Sequence, residues 1–559
     1  MTKQIPPTTS STTSTTSSPR SGYVGIDLGT QGLSVVVTNE DLHVLATGEA
    51  TYECRPNVPP GHFEQSTTDW QTALQTAMQQ VHTQLQQANN NNNNNNNNND
   101  NNNNNDNNND TFKVLAIGIA GQMHGQVMAG DLASASDHPT SLPTALTWVR
   151  LWCDARNQAE GDELTQAFRY QVPKRSTAAR FLWTTRHDPA LAARVRHLTT
   201  PAGWLAFLLT GEFYLGMGDA AGMFPMDVTT GNYDSKLLQL YDDIVNNPNI
   251  PALASLLPTV KRAGEPAGWL NQRGAHLLQL PPGIPVAAAE GDQVAALAGS
   301  CMGRPGMVSC SFGTSVCANV IGTQPFRGVS PAVDLFCSAD GQPILMIWLR
   351  NGTTFLNTIV ETTLGSTFED IMPQLLAAPA DCGGLLALPF MHDEPGLQVP
   401  PNDDGSTALI LGWTAENATP GNVAKAALLS TMFNLRLGCQ VLDDQGYPPR
   451  TEIGFSGGLA KTPETGQILA NVFQTPVTLL EAAEEGCAWG AAVLAKYRHV
   501  PPEERGDWPL FLEAIAAQRP VQRFLPQPEQ VAVYETVFQR YQKLIQLQPQ
   551  LAEIYHMSS

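Results

Sequence analysis

The feature that most constrains the fold is a strand–turn–strand pattern that occurs twice, about half the chain apart. Residues 23–37 read YVGIDLGTQGLSVVV, and residues 306–319 read GMVSCSFGTSVCAN. In both copies a Gly-Thr turn breaks an apolar run that is otherwise suited to a buried strand, which predicts a β-hairpin. The chain has 559 residues, too many for one core. Two copies of one hairpin therefore predict two domains of related design that face one another.

The two copies differ at one chemically important position. Asp27 lies within the first apolar run, where an acid is rarely buried unless something compensates its charge, and Ser311 takes its place in the second copy. No G-x-x-x-x-G-K-[ST] motif is present, so a P-loop is excluded. Facing Gly-Thr hairpins would instead form a nucleotide cleft in which turn amides and Thr hydroxyls hold the phosphates. Asp27 would then hold Mg²⁺, directly or through its waters.

Composition narrows the class of partner and the compartment. The formal charge of −20 argues against nucleic acid or an anionic membrane as a partner, because both demand a basic surface. Nine cysteines are scattered without a C-x-x-C pair, which predicts free thiols in the reducing cytoplasm and gives no zinc signature. No run of 18 or more apolar residues exists. Residues 1–22 are rich in Ser and Thr and lack the apolar core of a secretory signal, so they are predicted to be a disordered tail.

The predicted domains are residues 23–284 and residues 285–559. Residues 89–110 are almost all Asn, and this tract is predicted to be a disordered insertion in a surface loop between a helix at 70–88 and a strand at 112–121. Residues 484–497 predict a helix of small residues that another backbone or a flat ligand can approach closely.

Seven blocks, in the right order from about Tyr23 to about Ala495, resemble the FGGY carbohydrate kinases of the actin-like, ribonuclease H-like superfamily. They are GIDLGTQG (25–32), GIAGQMHG (118–125), LWCDAR (151–156), TGEFYLGMGDAAGMF (210–224), AAEGDQVAALAG (288–299), SFGTSV (311–316) and FSGGLAK (455–461). The resemblance implies an α/β fold of two actin-like (ribonuclease H-like) domains facing across a nucleotide and sugar cleft. It also implies sugar phosphorylation that uses ATP and Mg²⁺.

The resemblance assigns roles by position. Asp292 is implied to be the general base that accepts the proton of the attacking sugar hydroxyl. The other implied contacts are Met123, His124, Gln122 and Gln293 for the sugar, Thr30, Gln31, Gly313 and Thr314 for the β- and γ-phosphates, Gly457, Gly458 and Thr462 for the adenosine, and residues 487–492 for the adenine. The residues alone also allow structural roles, namely a helix-capping acid at 292, two ordinary hairpins and a satisfied histidine at a strand end.

The sequence departs from the family pattern at three places that bear on which sugar or polyol accepts the phosphoryl group. MHDEPGLQVP (391–400) replaces the Gly-Glu-Arg-x-Pro block, Ala202-Gly203 replaces a Lys-Asp pair, and Met223 stands where Thr is usual. None removes Asp27, Asp292 or either hairpin. The implied reaction is phosphorylation of D-xylulose to D-xylulose 5-phosphate. The alternatives are the same chemistry on ribulose, sedoheptulose or a sugar alcohol, and a non-catalytic actin-like protein that binds sugar or nucleotide. Family analogy also implies a homodimer.

Overall fold

The structure, a computed structural model, describes residues 21–96, 112–132, 142–399, 407–480, 486–519 and 521–556. The predicted tail lies almost entirely outside these ranges. So do residues 97–110 of the asparagine tract. Residues 89–96, predicted to begin a loop, instead continue the preceding helix to Asn96. Elongating a helix that has already formed costs far less than starting one, so a polar tract can extend it.

The first half of the chain contains fifteen described strands and ten described helices. The strands are β1 (Ser21–Leu28), β2 (Gly32–Asn39), β3 (Val44–Thr51), β4 (Glu64–Gln65), β5 (Lys113–Gly121), β6 (Val127–Ala129), β7 (Val149–Arg150), β8 (His197–Thr199), β9 (Tyr214–Gly216), β10 (Met226–Asp227), β11 (Asn232–Tyr233), β12 (Thr259–Lys261), β13 (Gly268–Trp269), β14 (Pro285–Val286) and β15 (Glu290–Gly291). The helices are α1 (Thr67–Asn96), α2 (Gln158–Phe168), α3 (Thr177–His187), α4 (Pro189–Ala192), α5 (Pro201–Thr210), α6 (Met217–Met223), α7 (Ser235–Val245), α8 (Leu253–Leu256), α9 (Gln272–Leu278) and α10 (Asp292–Gly299).

A mixed seven-stranded sheet organises this half. Its order is β13-β14-β5-β1-β2-β3, and β15 also pairs with β5. The predicted run of three strands, a helix and a further strand between residues 23 and 122 is confirmed by β1, β2, β3, α1 and β5. Strands β14 and β15 lie beyond residue 284, the predicted end of the N-terminal domain, yet both pair in parallel with β5. The first sheet therefore extends to Gly291.

The second half is built in the same way. Its strands are β16 (Met307–Phe312), β17 (Val316–Ile321), β18 (Val333–Cys337), β19 (Pro343–Leu349), β20 (Leu386–Leu388), β21 (Leu409–Leu411), β22 (Glu452–Gly457), β23 (Val477–Leu480) and β24 (Val521–Phe524). Its helices are α11 (Thr354–Asn357), α12 (Phe368–Ala377), α13 (Pro420–Asp444), α14 (Thr465–Phe473), α15 (Gly486–His499), α16 (Pro502–Arg505), α17 (Trp508–Ala517), α18 (Pro528–Ile545) and α19 (Gln548–His556). A π-helical turn covers Thr358–Thr363, and short 3₁₀ helices cover Cys382–Gly384, Pro395–Leu397 and Gly458–Lys461.

The second sheet has the order β18-β19-β17-β16-β22-β23-β24 and repeats the pairing of the first. Strand β1 pairs antiparallel with β2 and parallel with β5, and β16 pairs antiparallel with β17 and parallel with β22. The last pair of the first hairpin is Leu28 with Leu33, and that of the second is Phe312 with Val316. Asp27 and Ser311 therefore occupy equivalent positions, and the prediction of two domains of related design is confirmed.

Two helices, α10 and α15, join the halves. Helix α15 lies in the chain between β23 and β24 of the second sheet, yet it packs on β1 and β5 of the first sheet and on α10. Added Cβ atoms at Gly25 of β1, Gly118 of β5 and Gly490 of α15 would each overlap a backbone carbonyl oxygen of the neighbouring element. The predicted helix of small residues is confirmed, and what approaches it closely is backbone. In the described part of the chain, no helix is long and apolar enough to cross a membrane.

Candidate active site

The first sheet brings two acids to one edge. Strands β1, β5 and β15 are parallel, so their carboxyl ends meet at the same edge of the sheet. Asp27 pairs in register with Ala120 of β5, and Glu290 of β15 pairs with the same residue from the other side. Neighbouring strands lie about 4.8 Å apart. Asp27 and Asp292, which follows directly after β15, therefore flank the end of β5.

Asp292 is the first residue of α10 and is only partly exposed. The backbone N–H of Gln293 donates a 2.9 Å hydrogen bond to its Oδ1. Burial raises the pKa of Asp292 to about 6, and hydrogen bonds from the backbone of Gln293 and Met123 partly oppose that rise. A carboxylate with a pKa close to neutrality is ionised at physiological pH and still accepts a proton readily. Asp292 thus has the properties of a general base.

Asp27 fits the predicted metal-binding role. Burial, followed by the nearby charge of Asp292, raises its pKa to about 7. Its buried Oδ1 has no hydrogen-bond partner among the residues that the structure describes. Within those residues, no cluster of three or more His, Cys, Asp or Glu is arranged around a metal position. A single carboxylate suits Mg²⁺, which keeps several waters and binds through one or two carboxylates together with substrate phosphates.

A cavity of about 160 Å³ opens beside Asp292. Four residues predicted to contact the sugar line it, namely Met123, His124, Asp292 and Gln293. Thr30 of the first hairpin also lines it, so the cavity reaches the predicted phosphate site.

Sequence reasoning did not single out several other lining residues. Trp152 and Arg175 come from the first half, while Cys317, Met346 and Trp348 come from β17 and β19 of the second half. The cavity therefore lies between the two halves. Trp152 lies in the LWCDAR block, so the family resemblance could have identified it as a site residue. Arg175 lies outside every recognised block.

The structure fixes the tautomer of His124. Its Nδ1 lies 2.9 Å from the carbonyl oxygen of Gly222. A carbonyl oxygen only accepts, so Nδ1 carries the proton and Nε2 is left as an acceptor. Burial, assisted by the charge of Arg175, lowers the pKa of His124 to about 3, so the imidazole is neutral. The free nitrogen of His124 can therefore accept a hydrogen bond but cannot donate one.

Gln122 and Gln293, both predicted to contact the sugar, lie in different surroundings. Gln122, predicted to assist in the sugar pocket, is fully buried and faces the first hairpin. Its Nε2 donates to the Gly29 carbonyl at 3.2 Å and to Oε1 of Gln65 at 3.0 Å. Gln293 does line the cavity, and its Oε1 accepts a 3.0 Å hydrogen bond from Nδ2 of Asn319. Gln122 supports the first hairpin, and Gln293 is a fixed part of the cavity wall.

Each hairpin is held by residues far away in sequence. In the first, Oγ1 of Thr30 accepts a 3.0 Å hydrogen bond from Nε1 of Trp152, and Gln31 is exposed at the turn. In the second, the carbonyl of Gly313 accepts hydrogen bonds from the backbone N–H and Oγ1 of Thr353, at 2.8 and 2.9 Å. The carbonyl of Thr314 accepts a bond from the Gly352 N–H at 3.1 Å. Nothing in the sequence analysis indicated this supporting role of residues 352–354.

The predicted adenosine turn lies against the second hairpin. Gly457 is the parallel partner of Phe312 and has a φ of +86°, and a Cβ there would lie 2.6 Å from the Phe312 carbonyl oxygen. Only glycine fits this position. Gly458 begins the 3₁₀ helix that follows, and the half-buried Thr462 caps its end with an N–H bond to the Leu459 carbonyl at 3.1 Å.

A second, smaller cavity of about 30 Å³ separates this region from α10. Gly299, Gly454, Ser456 and Gly486 are among the residues that line it. From α15, only Gly486 is in its wall. Of residues 487–492, predicted to wall an adenine, residues 488–492 are buried against β1, β5 and α10, and Cys487 is partly exposed.

Two further carboxyl groups lie behind Asp292. The carboxylate of Glu290 accepts a 3.0 Å hydrogen bond from the N–H of Asp219, and Oγ1 of Thr200 donates to Oδ2 of Asp219 at 2.5 Å. Burial raises the pKa of Asp219 to about 8 and that of Glu290 well above its ordinary value. With a pKa of about 8, Asp219 is largely protonated at neutral pH, whereas Asp292, with a pKa of about 6, is ionised. The blocks at 210–224 and 288–299 contain Asp219 and Glu290, but the sequence analysis did not select them.

Comparison with known proteins agrees with this architecture. Residues 22–299 match the N-terminal domain of the FGGY family of carbohydrate kinases, and residues 308–499 match its C-terminal domain. The chain is 27% identical over 530 residues to a xylulose kinase of Haemophilus influenzae, covering 93% of this chain and 98% of the relative. It is 26% identical over 550 residues to a xylulose kinase of Escherichia coli strain K12, covering 94% and 99%.

The fold also matches a solved structure described as a ligand-bound xylulose kinase from Lactobacillus acidophilus. The TM-score is 0.76 at 18% sequence identity, and the match covers 96% of this chain and all of that chain. The predicted arrangement of two actin-like domains is confirmed. With both domains of the family matched, the chain belongs to the FGGY family of carbohydrate kinases, which use ATP to phosphorylate sugars.

Proposed function

We propose that this carbohydrate kinase transfers the terminal phosphoryl group of ATP to the terminal hydroxyl of D-xylulose and forms D-xylulose 5-phosphate. One observation carries the proposal. A carboxylate with a pKa near 6, Asp292, lies in a cavity that both halves line and that reaches the first of two matched hairpins. The printed names of the curated relatives support xylulose as the acceptor.

In the proposed reaction, Asp292 accepts the proton of the attacking hydroxyl while the oxygen forms a bond to the γ-phosphorus and ADP departs. Phosphoryl transfer depends mainly on positioning and on neutralising charge. Met123, Met346 and Trp348 provide apolar walls for the carbon chain, and Nε2 of His124 accepts from a sugar hydroxyl. The base itself contributes about 10²–10⁴-fold in rate.

The nucleotide would lie between the two hairpins, with its phosphates on Thr30 and Gln31 on one side and on Gly313 and Thr314 on the other. The adenosine would extend toward Gly457, Gly458 and Thr462, which adjoin the second hairpin. Asp27 would hold Mg²⁺ at the same edge. When bound, the metal neutralises phosphate charge and lowers the pKa of that carboxyl.

A second acceptor class is the closest competing proposal. Gln293 stands where xylulose-phosphorylating members of the family often have Asn, and its carboxamide is held by Asn319 in the cavity wall. This favours testing ribulose, sedoheptulose and sugar alcohols beside xylulose. A non-catalytic binder is disfavoured, since binding alone needs no carboxylate with a pKa raised toward neutrality.

Two broader expectations remain predictions. All nine cysteines are free thiols, and this supports a reducing compartment such as the cytoplasm. The homodimer rests on family analogy.

The experiment is a panel of ketoses and polyols assayed for ADP formation in the presence of ATP and Mg²⁺. D-Xylulose is expected to give the highest kcat/KM. A clearly higher value for another ketose or for a polyol would change the acceptor assignment. ATP binding with no ADP formation on any member would contradict the proposed function.

A further inference from the structure

An ion pair beside the 160 Å³ cavity crosses from one half of the molecule to the other, and its arginine lines that cavity. Arg175 lies in the first half, between α2 and α3, and its guanidinium pairs with the carboxylate of Asp334 on β18 of the second half. The guanidinium carbon also lies 5.4 Å from the centre of the Trp348 ring on β19. Both side chains of the pair are largely buried, with 16% and 14% of their surface exposed. Solvent therefore screens their interaction only weakly.

The second-half side of this contact is fixed by packing. Strand β18 packs on α6, and a Cβ at Gly218 of α6 would lie 2.6 Å from the carbonyl oxygen of Cys337 at the end of β18. Asp334 is three residues away on the same strand, about 10 Å along it. The carboxylate that holds Arg175 thus belongs to a rigid part of the domain boundary.

Toward the cavity that it lines, Arg175 can donate hydrogen bonds but cannot accept them. A guanidinium has five N–H donors in a planar fork, accepts no hydrogen bond and stays protonated. Asp334 occupies part of the fork, and the remaining N–H groups are available to a bound molecule. His124, which lines the same cavity, offers the opposite chemistry, because Nε2 can only accept.

A donor-only group and an acceptor-only group in one small cavity match a carbonyl next to a hydroxyl. A carbonyl oxygen only accepts, whereas a hydroxyl can donate to Nε2. We propose that Arg175 is a specificity-determining residue that favours open-chain ketoses over polyols by donating to the ketose carbonyl, in an orientation set by Asp334 and Trp348. A polyol oxygen can also accept from Arg175, but it brings an additional O–H that needs an acceptor of its own. The inference rests on the proposed function and deepens it.

The test compares D-xylulose with xylitol, which has a hydroxyl in place of the carbonyl. The affinity for xylitol is measured as KM, or as Ki for competitive inhibition if turnover is too slow. Arg175→Ala is expected to lower kcat/KM for D-xylulose about 10- to 100-fold, mainly through KM, because one charge-assisted hydrogen bond is lost. The affinity for xylitol should fall by a smaller factor, because the O–H that replaces the carbonyl already weakens the contact with Arg175 in the wild type.

Three further variants sharpen the test. Arg175→Lys keeps the charge but loses the planar fork, and should give an intermediate loss for the ketose. Asp334→Ala should lower the ketose preference by releasing the guanidinium. Arg304→Ala is the matched control, since it breaks an exposed pair with Glu513 whose side chains are 47% and 40% exposed, and should leave both substrates unaffected.

Equal losses for D-xylulose and xylitol in Arg175→Ala would overturn the inference, because a merely structural role weakens both. A wild-type preference for xylitol would also overturn it. If Arg175→Ala does not fold, Arg175→Lys decides by the same ratio. A wild-type protein that releases no ADP with any acceptor contradicts the proposed function, whereas an active wild type with an unchanged ratio in the variants contradicts only this inference.

Discussion

At the scale of single residues, Asp292 determines whether the cavity is catalytic. Its pKa of about 6 comes chiefly from burial. A carboxylate base works when ionised, so activity is present above the pKa and is lost as the pH falls through it. We expect kcat/KM to fall about tenfold per pH unit below pH 6. Asp292→Asn should lower kcat about 10²- to 10⁴-fold and leave ADP binding unchanged.

Asp243→Asn, an exposed carboxylate on α7, is the control for Asp292→Asn. ADP release is followed from pH 5 to pH 8 in a coupled assay, and ADP binding is followed by calorimetry. If Asp292→Asn kept more than about a tenth of the wild-type kcat, Asp292 would not be acting as the general base.

At the residue scale, the sequence is informative where the residue type limits the backbone conformation, and uninformative where tertiary contacts decide the orientation of a side chain. Gly457 needs a positive φ and a close neighbour, and both requirements are typical of a Gly-Gly turn after a strand. The orientation of Gln122 depends on Gln65 and Gly29, which no local pattern indicates. The ion pair of Arg175 joins it to Asp334 on a strand of the other half, and no local sequence pattern indicates that contact.

At the scale of elements, the contact between α10 and α15 links the base to the second half. A Cβ at Gly490 would overlap the carbonyl oxygen of Ala295 and would lie 3.1 Å from the N–H nitrogen of Gly299. We predict that Gly490→Ala lowers the free energy of unfolding by about 3 kcal/mol, at the upper end for overpacking. It should also lower kcat, because α10 carries Asp292.

Gly328→Ala is the matched control for Gly490→Ala, since Gly328 is exposed with a φ of +86° and no atom within 4 Å of its added Cβ. It should cost about 1 kcal/mol, from backbone conformation alone, and leave kcat unchanged. Urea unfolding measured for both variants decides the comparison. Equal losses of stability would mean that the two helices can move apart without cost.

The predicted elements were most accurate where periodicity and turn chemistry agreed. The two hairpins and the helix of small residues were both confirmed. The pairing of β14 and β15 with β5 could not be predicted, since strands of two residues carry no periodic signal.

At the scale of the whole molecule, one hairpin design serves two halves that are not equivalent. The strand registers give Asp27 in the first half and a neutral Ser311 at the equivalent position of the second half. Burial and repulsion by Asp292 raise the pKa of Asp27 to about 7, which a bound cation would reverse. This asymmetry favours one nucleotide with one metal ion, bound with its phosphates nearer the first sheet. The central claim is therefore a single cleft shared by both halves.

The most direct measurement is a crystal structure with D-xylulose, Mg²⁺ and a non-hydrolysable ATP analogue. The account predicts β- and γ-phosphates between residues 29–31 and 313–314, the metal beside Asp27, and the terminal sugar hydroxyl about 3 Å from the Asp292 carboxylate. A nucleotide bound outside both hairpins, or a sugar whose hydroxyls all lie beyond hydrogen-bond reach of Asp292, would contradict it.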